Sequence, residues 1–349
     1  MTSKKGEGMK ANKKGGGMMT GNNEKIEARV KMRDHMKQLI AIYPEDEKMN
    51  FYLAYMYLKY TSTWAYRLAE AYGVASPKYP PKELDPSLET FFQGCLELLE
   101  DKLTSLETIP YAGKVVTLND AAQLVTVKED IELRNLSTVI PFKQVNNIVM
   151  HNPTSIAIGK CACRLARGIN CEPMGKGLAD EKGIECCFFV GDPWASIIAE
   201  ENPRFRKCSQ EEAVHVLKTC HEFGSVQMAY WKKELNRDFY SICNCCKCDC
   251  LGILAHNLFQ GAFPTVAGSG YKSKVNTDIC SGCGLCVEPC NFLAMTLDKE
   301  TEKSVVDLKK CMGCGVCETK CPENAITLVR DPAELEPVDL KALRAKYGR

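Results

Sequence analysis

The chain has 349 residues, of which 45% are apolar, so it is long enough for two or three domains with a substantial packed core. Its 45 Lys and Arg residues nearly balance 44 Asp and Glu residues, and the net charge of +1 argues against nucleic-acid binding, which normally needs a broad basic field. No stretch of about 18 uncharged apolar residues occurs, so we expect no direct membrane span.

The 21 cysteines are the outlier of the composition. In a small secreted domain they would indicate disulfides, but the chain begins with no apolar signal segment, and many of the cysteines fall into short, regular spacings. We therefore expect reduced thiols in cytoplasmic, anaerobic surroundings.

The first part of the chain is predicted to be an arm followed by helices. Residues 1–23 place lysines among glycines and methionines, which predicts a disordered basic arm. Residues 24–139 are predicted to be mainly helical, with a break at Tyr43-Pro44 and a further helix opened by Pro86. Within them, residues 51–72 predict one long, tyrosine-rich amphipathic helix that serves either the core or a subunit interface.

Two segments on either side of residue 139 have weaker patterns. Residues 117–133 favour β-structure because they are rich in Val and Thr between charged turns. Ile140-Pro141 predicts the start of a helix that ends before Asn152-Pro153, and residues 210–223 predict a second helix. Residues 140–260 as a whole are predicted to form a central cysteine-rich α/β region.

Ten cysteines of this central region are candidate metal ligands: Cys161, Cys163, Cys171, Cys186, Cys187, Cys243, Cys245, Cys246, Cys248 and Cys250. A cubane [4Fe-4S] cluster needs four thiolates, so the region permits one or two clusters. One grouping joins Cys161, Cys163 and Cys171 with Cys186 or Cys187, and leaves the other five for a second cluster, although ligands can also mix between the two tracts. A structural zinc site is the alternative.

Two local features refine this prediction. Side chains two apart on an extended strand face the same way, so Cys246, Cys248 and Cys250 can present three thiolates to one site. Arg164 and Arg167 lie beside the first tract, where their charge would offset that of a thiolate-ligated cluster. The isolated Cys95, Cys208 and Cys220 are interpreted as ordinary buried residues.

Eight further cysteines form two copies of the spacing C-x2-C-x2-C-x3-C, at Cys280, Cys283, Cys286, Cys290 and at Cys311, Cys314, Cys317, Cys321. In this spacing the last cysteine of each run ligates the other cluster. The pattern predicts one [4Fe-4S] cluster on Cys280, Cys283, Cys286 and Cys321, and a second on Cys311, Cys314, Cys317 and Cys290. Two zinc knuckles are a weaker alternative, because apolar stretches at residues 292–297 and 325–328 follow the runs as strands would.

Residues 270–330 resemble the dicluster ferredoxin module, in which all eight ligand positions are filled by cysteine. The resemblance departs at one point, since Pro322 follows the second run as the motif expects but Asn291 follows the first. Residues 331–349 are predicted to form a tail that is either attached to another subunit by its thin apolar stripe or solvated.

The upstream order of motifs also resembles iron–sulfur proteins of anaerobic bacteria and archaea. Its elements are the G-x-C-x-C-R block at residues 159–164, the pair Cys186-Cys187, a helix ending in a Gly-Ser-Val turn, and the I-C-N-C-C tract at residues 242–246. Members of that family are mostly electron-transfer components that accompany larger redox enzymes, which is what the resemblance implies for the partners of this chain.

We therefore expect an α+β electron-transfer protein, with two C-terminal clusters and one or two more in the central region, that exchanges electrons with other subunits of an oxidoreductase complex. The rival hypothesis is a catalytic reductase subunit, in which a central cluster keeps an open coordination position for substrate.

Overall fold

In the computed structural model, the described residues are 32–43, 48–78, 80, 89, 111–142, 145–169, 179–180, 183–232, 235, 238–259 and 266–348. The predicted basic arm, the helix after Pro86, Cys95 and Cys171 lie outside them. The helices are α1 (Asp34–Ala41), α2 (Lys48–Lys59), α3 (Thr61–Ala71), α4 (Leu118–Thr126), α5 (Ala162–Arg167), α6 (Trp194–Glu201), α7 (Gln210–Glu222), α8 (Leu251–Phe259), α9 (Val316–Thr319) and α10 (Leu340–Tyr347). The strands are β1 (Tyr111–Val115), β2 (Ile131–Leu133), β3 (Ile148–Lys160), β4 (Ala179–Asp180), β5 (Gly183–Asp192), β6 (Phe205–Cys208), β7 (Val226–Lys232), β8 (Phe239–Cys245), β9 (Val266–Ala267), β10 (Tyr271–Val275), β11 (Met295–Leu297), β12 (Ser304–Val306) and β13 (Ile326–Arg330).

One largely antiparallel sheet contains the strands that the structure describes before residue 268. Its strands follow the order β2-β3-β5-β8-β7-β1-β9, with β6 paired to β3 and β4 paired to β5. All seven residues of β7 are buried, so helices must cover both faces of the sheet at this strand. The boundary predicted at residue 139 does not separate two sheets, because β1 and β2 precede it and pair with β7 and β3.

One local prediction holds in part and another is wrong. Of the residues predicted to favour β-structure, 131–133 form β2, but 118–126 form α4, because the hydroxyl of Thr117 accepts a hydrogen bond from the backbone N–H of Asp120 and caps a helix. The helix predicted after Pro141 is replaced by β3, which begins at Ile148 and pairs with both β5 and β6. The helix predicted over residues 210–223 is confirmed as α7, where Ser209 caps the N–H of Glu212.

The tyrosine-rich segment is two helices rather than one, because the chain breaks at Tyr60 between α2 and α3. Its core role is confirmed: Phe51, Tyr52 and Tyr55 are at most 1% exposed. The hydroxyl of Tyr55 donates to the buried carboxylate of Glu201 on α6 at 2.7 Å. These contacts pack α2 against the central sheet region instead of presenting it to another subunit.

The C-terminal segment also packs within the chain. Val338, Leu340 and Leu343 are no more than 2% exposed, and α10 contacts α4 and β2. Asp339 caps α10 through the N–H groups of Lys341 and Ala342. The interpretation of this apolar stripe as an attachment to another subunit is therefore wrong.

The residues between β9 and α10 form a small module with an internal repeat. β10 pairs with β13 and β11 pairs with β12, both antiparallel, so each of the strands predicted after a cysteine run is present. Cys280 and Cys311 are 31 residues apart, and the same offset relates residues 273–275 of β10 to β12 and β11 to residues 326–328 of β13.

Candidate metal centres

The first C-terminal set of thiols is the predicted group of Cys280, Cys283, Cys286 and Cys321, which includes the last cysteine of the second run. Burial raises the pKa of Cys286, and the nearby thiols of Cys321 and Cys280 raise it further. The backbone N–H groups of Ser304 and Gly282 hold the pKa of Cys280 below its usual value, because they stabilise its thiolate. Cys283 is exposed, so this set lies at the surface.

The second C-terminal set is the predicted group of Cys311, Cys314, Cys317 and Cys290, which includes the last cysteine of the first run. Burial raises the pKa of Cys314, and Cys317, Cys290 and Cys311 add to the rise. Burial also raises the pKa of Cys317 to about 12, with contributions from Cys311, Cys290 and Cys286. Cys321 thus lies near Cys286, and Cys290 lies near Cys314 and Cys317, which is the crossed relationship that the spacing predicts. Cys286 and Cys317 are also neighbours, so the two sets adjoin there.

A repeated Lys-Ser pair supports each set, and sequence reasoning missed it. Ser304 Oγ lies 3.1 Å from Cys286 Sγ, and Ser273 Oγ lies 3.1 Å from Cys317 Sγ. The two serines are 31 residues apart, as are the two cysteines. Ser273 precedes the first run but contacts a cysteine of the second run, and Ser304 precedes the second run but contacts a cysteine of the first run. The serine contacts therefore cross between the two runs, as the cysteine sets do. The 31-residue offset was a signal that could have revealed the pair.

Backbone groups repeat in the same way. The N–H of Ala294 donates to Cys290 Sγ and the N–H of Ala325 donates to Cys321 Sγ, both at 3.2 Å. Lys272 Nζ donates to the carbonyl of Cys311 at 2.8 Å, and Lys303 makes the matching bond to the carbonyl of Cys280. Donors directed at sulfur fit an anionic, thiolate-ligated cluster, and such hydrogen bonds set its reduction potential.

Glycine is required where each run turns. Gly313 has a φ of +66°, and a Cβ there would meet the carbonyl oxygen of Tyr271. Gly282 has a φ of +71°, and a Cβ there would meet the carbonyl oxygen of Glu302. Both positions need a left-handed backbone and have no space for a side chain, which only glycine satisfies.

Asn291 stands where the dicluster ferredoxin motif has a proline, and it connects the C-terminal module to the central region. Its Oδ1 accepts from the N–H of Lys247 at 2.8 Å, and its Nδ2 donates to the carbonyl of Gly224 at 2.8 Å. Its own carbonyl accepts from Nδ2 of Asn257 at 2.9 Å. A proline could make neither of the side-chain bonds, so the departure from the motif has a structural reason.

The central cysteines lie at one end of three adjacent strands. β3 and β8 both run antiparallel to β5, so the C-terminal ends of β3 and β8 flank the first half of β5. Cys187 of β5 stands directly opposite Gly159 of β3 and Cys243 of β8. Helix α5 follows β3 and carries Cys163, and Cys250 stands directly before α8 in the chain that follows β8.

Seven of these thiols form one group of mutual contacts, which we call the central thiol ring. The ring runs from Cys161 through Cys163, Cys250, Cys245, Cys243 and Cys187 back to Cys161, and Cys186 contacts both Cys161 and Cys187. The sulfur atoms of Cys161, Cys186 and Cys187 all lie within 4.8 Å of one another.

The two predicted groupings are therefore not separate. Cys163 contacts Cys250, and Cys187 contacts Cys243, so the ring mixes the two tracts. The extended geometry expected for Cys246, Cys248 and Cys250 is wrong, because β8 ends at Cys245 and residues 247–249 form a turn before α8. After this turn Cys250 contacts Cys163 and Cys245 of the ring.

The ring stabilises negative charge at two positions. Hydrogen bonds from Cys163, Cys186 and Cys187 hold the pKa of Cys161 well below its usual value. Hydrogen bonds from Cys163 and Cys245 do the same for Cys250. Because a thiolate is the form that binds a metal, these two residues are prepared for coordination.

A buried arginine faces the ring. Arg164 is 1% exposed, and its Nη1 donates to Cys186 Sγ and to the carbonyl of Asn244, each at 2.9 Å. A guanidinium remains charged in proteins, so its burial favours a negatively charged neighbour. Arg167 donates to the carbonyl of Cys248 at 2.6 Å. Of the two arginines predicted to offset thiolate charge, Arg164 thus contacts a thiol, and the hydrogen bond of Arg167 is to a backbone carbonyl.

A chain of buried polar side chains links this arginine to the C-terminal module. Thr319 of α9 contacts His221 Nε2 at 2.9 Å, and His221 Nδ1 lies 2.7 Å from Gln227 Oε1. Gln227 Nε2 donates to Asn244 Oδ1, and Asn244 Nδ2 donates to the carbonyl of Cys186, both at 2.9 Å. This polar chain holds the second C-terminal set and the ring in a fixed relationship.

A cavity of about 190 Å³ lies beside the ring. Its walls include the ring thiols other than Cys186, together with Cys246, and aromatic side chains from α2, α3 and β8. Among these, the hydroxyls of Tyr57 and Tyr240 lie 3.2 Å apart.

Two isolated cysteines lie apart from both centres. Burial raises the pKa of Cys220 to about 12, and burial likewise raises that of Cys208 to about 12. Cys220 is fully buried in the core on α7, which confirms its interpretation as a packing residue.

Over the residues that the structure describes, no helix has both the length and the apolar content to cross a membrane. No curated protein matches the chain. Residues 279–325, which carry both cysteine runs, match the family model of the 4Fe-4S dicluster domain, so the C-terminal module is a ferredoxin-type domain.

Proposed function

We propose that this chain is an iron–sulfur electron-transfer protein that relays electrons between a partner oxidoreductase subunit and a centre in its own central region. The observation that carries the proposal is the crossed arrangement of the two C-terminal thiol sets, with hydroxyl and N–H donors directed at their sulfur atoms. Each set fits one [4Fe-4S] cluster, which supplies one-electron chemistry when bound.

The exposure of the cysteines suggests an order of transfer. The first set includes the exposed Cys283, and Ile279 and Leu285 beside it are 49% and 57% exposed. The second set is deeper, since Cys314 and Met312 pack against the main hydrophobic core. A redox partner would therefore meet the first cluster, and the second cluster would face the central thiol ring.

The central thiol ring would hold the third redox centre. It offers more thiolates than one cubane requires, two of them already stabilised as anions, and a buried guanidinium to balance their charge. Because all seven thiols belong to one group, we favour a single further iron–sulfur centre over two. Zinc on the close trio of Cys161, Cys186 and Cys187 is the competing occupant.

Metal and sulfide analysis of the anaerobically purified protein tests this proposal. We expect about twelve irons and a matching amount of acid-labile sulfide per chain, since each cubane contains four of each. About eight irons and one zinc per chain would mean that the central region holds a structural zinc site and no third redox centre. No iron at all would overturn the electron-transfer function.

A redox titration followed by EPR gives the second test. Three one-electron signals are expected, two from the C-terminal clusters and one from the central centre. Cys243→Ser should remove only the central signal, and Cys314→Ser should alter only a C-terminal signal.

A further inference from the structure

A buried lysine lies between the central sheet and the second C-terminal set. Lys114 of β1 is 0% exposed, and its Nζ donates to the carbonyl of Gly268 at 2.7 Å. The sheet places it there because Lys114 pairs with Ala267, the last residue of β9, which directly precedes Gly268. The electron-transfer function proposed above leaves this ammonium group without a role.

One peptide group connects Lys114 to the loop of the second cysteine run. The oxygen of the peptide between Gly268 and Ser269 accepts the hydrogen bond from Lys114. The N–H of the same peptide donates to the carbonyl of Met312 at 3.0 Å, and Met312 directly follows Cys311. A positive charge on Lys114 polarises this peptide and strengthens its N–H as a donor, so the charge is felt at the turn around the second cluster site.

Three charged groups face Lys114 within the part of the chain that the structure describes. Asp120 of α4 favours the protonated lysine, and its own Oδ2 is buried without a hydrogen-bond partner there. Arg330 of β13 opposes protonation, whereas Glu334 favours it. The Glu334 side chain is 35% exposed, and its Oε2 would lie 3.9 Å from a Cβ at Gly268. A carboxylate in contact with solvent therefore stands beside the carbonyl that Lys114 binds.

The charge on Lys114 responds to its surroundings near neutral pH. Burial lowers the pKa of this lysine to about 7, so both the ammonium and the neutral amine are populated at that pH. One electron on a bound [4Fe-4S] cluster adds one negative charge to the second set. A nearby negative charge favours the charged form of a lysine, and buried charges are screened less by solvent than exposed ones. The electron and the proton therefore stabilise each other.

We propose that Lys114 is a redox-linked proton site, which takes up one proton from solvent when the second C-terminal cluster takes up one electron. The electron comes from the redox partner, and the proton converts the neutral amine of Lys114 to an ammonium that offsets the added negative charge. Oxidation of the cluster releases both. The inference rests on the proposed function, because it requires a cluster at the second C-terminal set.

EPR-monitored redox titrations of the anaerobic full-length protein between pH 6.5 and pH 9 test the proposal. The signal that Cys314→Ser alters belongs to the second cluster. Its potential should fall as the pH rises above about 7, by up to about 59 mV per pH unit, the slope for one proton per electron. The potential of the first cluster should stay constant and serves as the internal control. A potential of the second cluster that is equally constant would overturn the proposal.

Three variants identify the group that binds the proton. Lys114→Met keeps the length of the side chain but cannot titrate, so the potential should no longer depend on pH and should match the high-pH value of the wild type. Lys274→Met removes an exposed lysine of β10 and should leave the slope unchanged. Asp120→Asn should start the slope at a lower pH, because Asp120 favours the protonated lysine. A slope that survives Lys114→Met but not Asp120→Asn would assign the proton to Asp120 and overturn the role of Lys114.

Proton uptake by the wild-type protein provides a measurement that needs no variant. Electrochemical reduction through methyl viologen in weakly buffered solution at pH 8, with a pH indicator, should consume close to one proton per chain. No proton uptake would contradict the proposal. Iron analysis of the same samples separates the two proposals: fewer than eight irons per chain would remove a C-terminal cluster, whereas eight or more irons with no proton uptake would remove only the role of Lys114.

Discussion

The backbone N–H of Lys247 donates to Oδ1 of Asn291 at 2.8 Å. Lys247 follows Cys246 on the wall of the central cavity, and Asn291 follows Cys290 of the second C-terminal set. This hydrogen bond therefore joins the backbone next to the central thiol ring to a side chain next to the second cluster site.

Replacement of Asn291 by proline, the residue that follows the second run, should loosen this connection. The N–H of Lys247 and the carbonyl of Gly224 would lose their partners, which should lower the free energy of unfolding by about 2–4 kcal/mol. Electron transfer from the C-terminal clusters to the central centre should also slow. Anaerobic urea denaturation and freeze-quench EPR after rapid reduction measure the two effects. Pro322→Asn makes the reverse change at an exposed site and should alter neither.

Loss of a serine hydroxyl should shift one cluster potential at a time. Ser304→Ala removes a contact to Cys286, and Ser273→Ala removes one to Cys317. A hydrogen bond to sulfur stabilises the more negative, reduced cluster, so each potential should fall by about 40 mV for a bond worth about 1 kcal/mol. Ser273 precedes the first run, yet its loss should affect the second cluster. EPR-monitored redox titration distinguishes the signals, with the exposed Ser281→Ala as control.

Arg164→Gln should deplete the central centre while the C-terminal clusters persist. The substitution leaves the thiolates of the ring without their buried cation, an uncompensated charge that costs about 3–5 kcal/mol. Iron content should fall by about four per chain, because one cubane is lost. Arg206→Gln breaks exposed ion pairs to Glu185 and Glu212, and should retain full iron content. Retention of all iron in Arg164→Gln would contradict this role.

Lys114 should make stability depend on pH in the alkaline range. Burial lowers the pKa of this fully buried lysine to about 7, from 10.5, although Asp120 opposes the shift. Between these two values the unfolded chain binds more protons than the folded chain, so the free energy of unfolding should rise as pH increases from about 7 to about 10. Lys114→Met should remove this part of the pH dependence, whereas the exposed Lys341→Met should not. Urea midpoints of the variants at pH 7 and pH 9.5 test the difference.

The C-terminal centres could be predicted from local sequence. Four cysteines within eleven residues can converge only where glycines such as Gly282 and Gly313 allow the chain to turn tightly, so the short spacing carries most of the geometry. The strands after each run and helix α7 were likewise predictable, because turn residues and the Ser209–Glu212 capping pair act over a few residues. The 31-residue repeat of Ser273 and Ser304 is visible in the sequence, but only the fold shows that each serine contacts a cysteine of the other run.

The central site was decided by long-range contacts. Local composition favoured β-structure at residues 117–133, but the Thr117 cap and packing against α7 make residues 118–126 a helix and leave only 131–133 as a strand. The grouping of Cys163 with Cys250 and of Cys187 with Cys243 depends on the pairing of β5 with β8 and on the turn after Cys245, which spacing along the chain does not encode. Cysteines within one loop are constrained by covalent chain length, whereas thiols 87 residues apart (Cys163 and Cys250) or 56 residues apart (Cys187 and Cys243) meet only after the sheet has formed. For that reason the ferredoxin-type domain can be predicted from the sequence alone, whereas the central thiol ring and the cavity beside it form only in the folded protein.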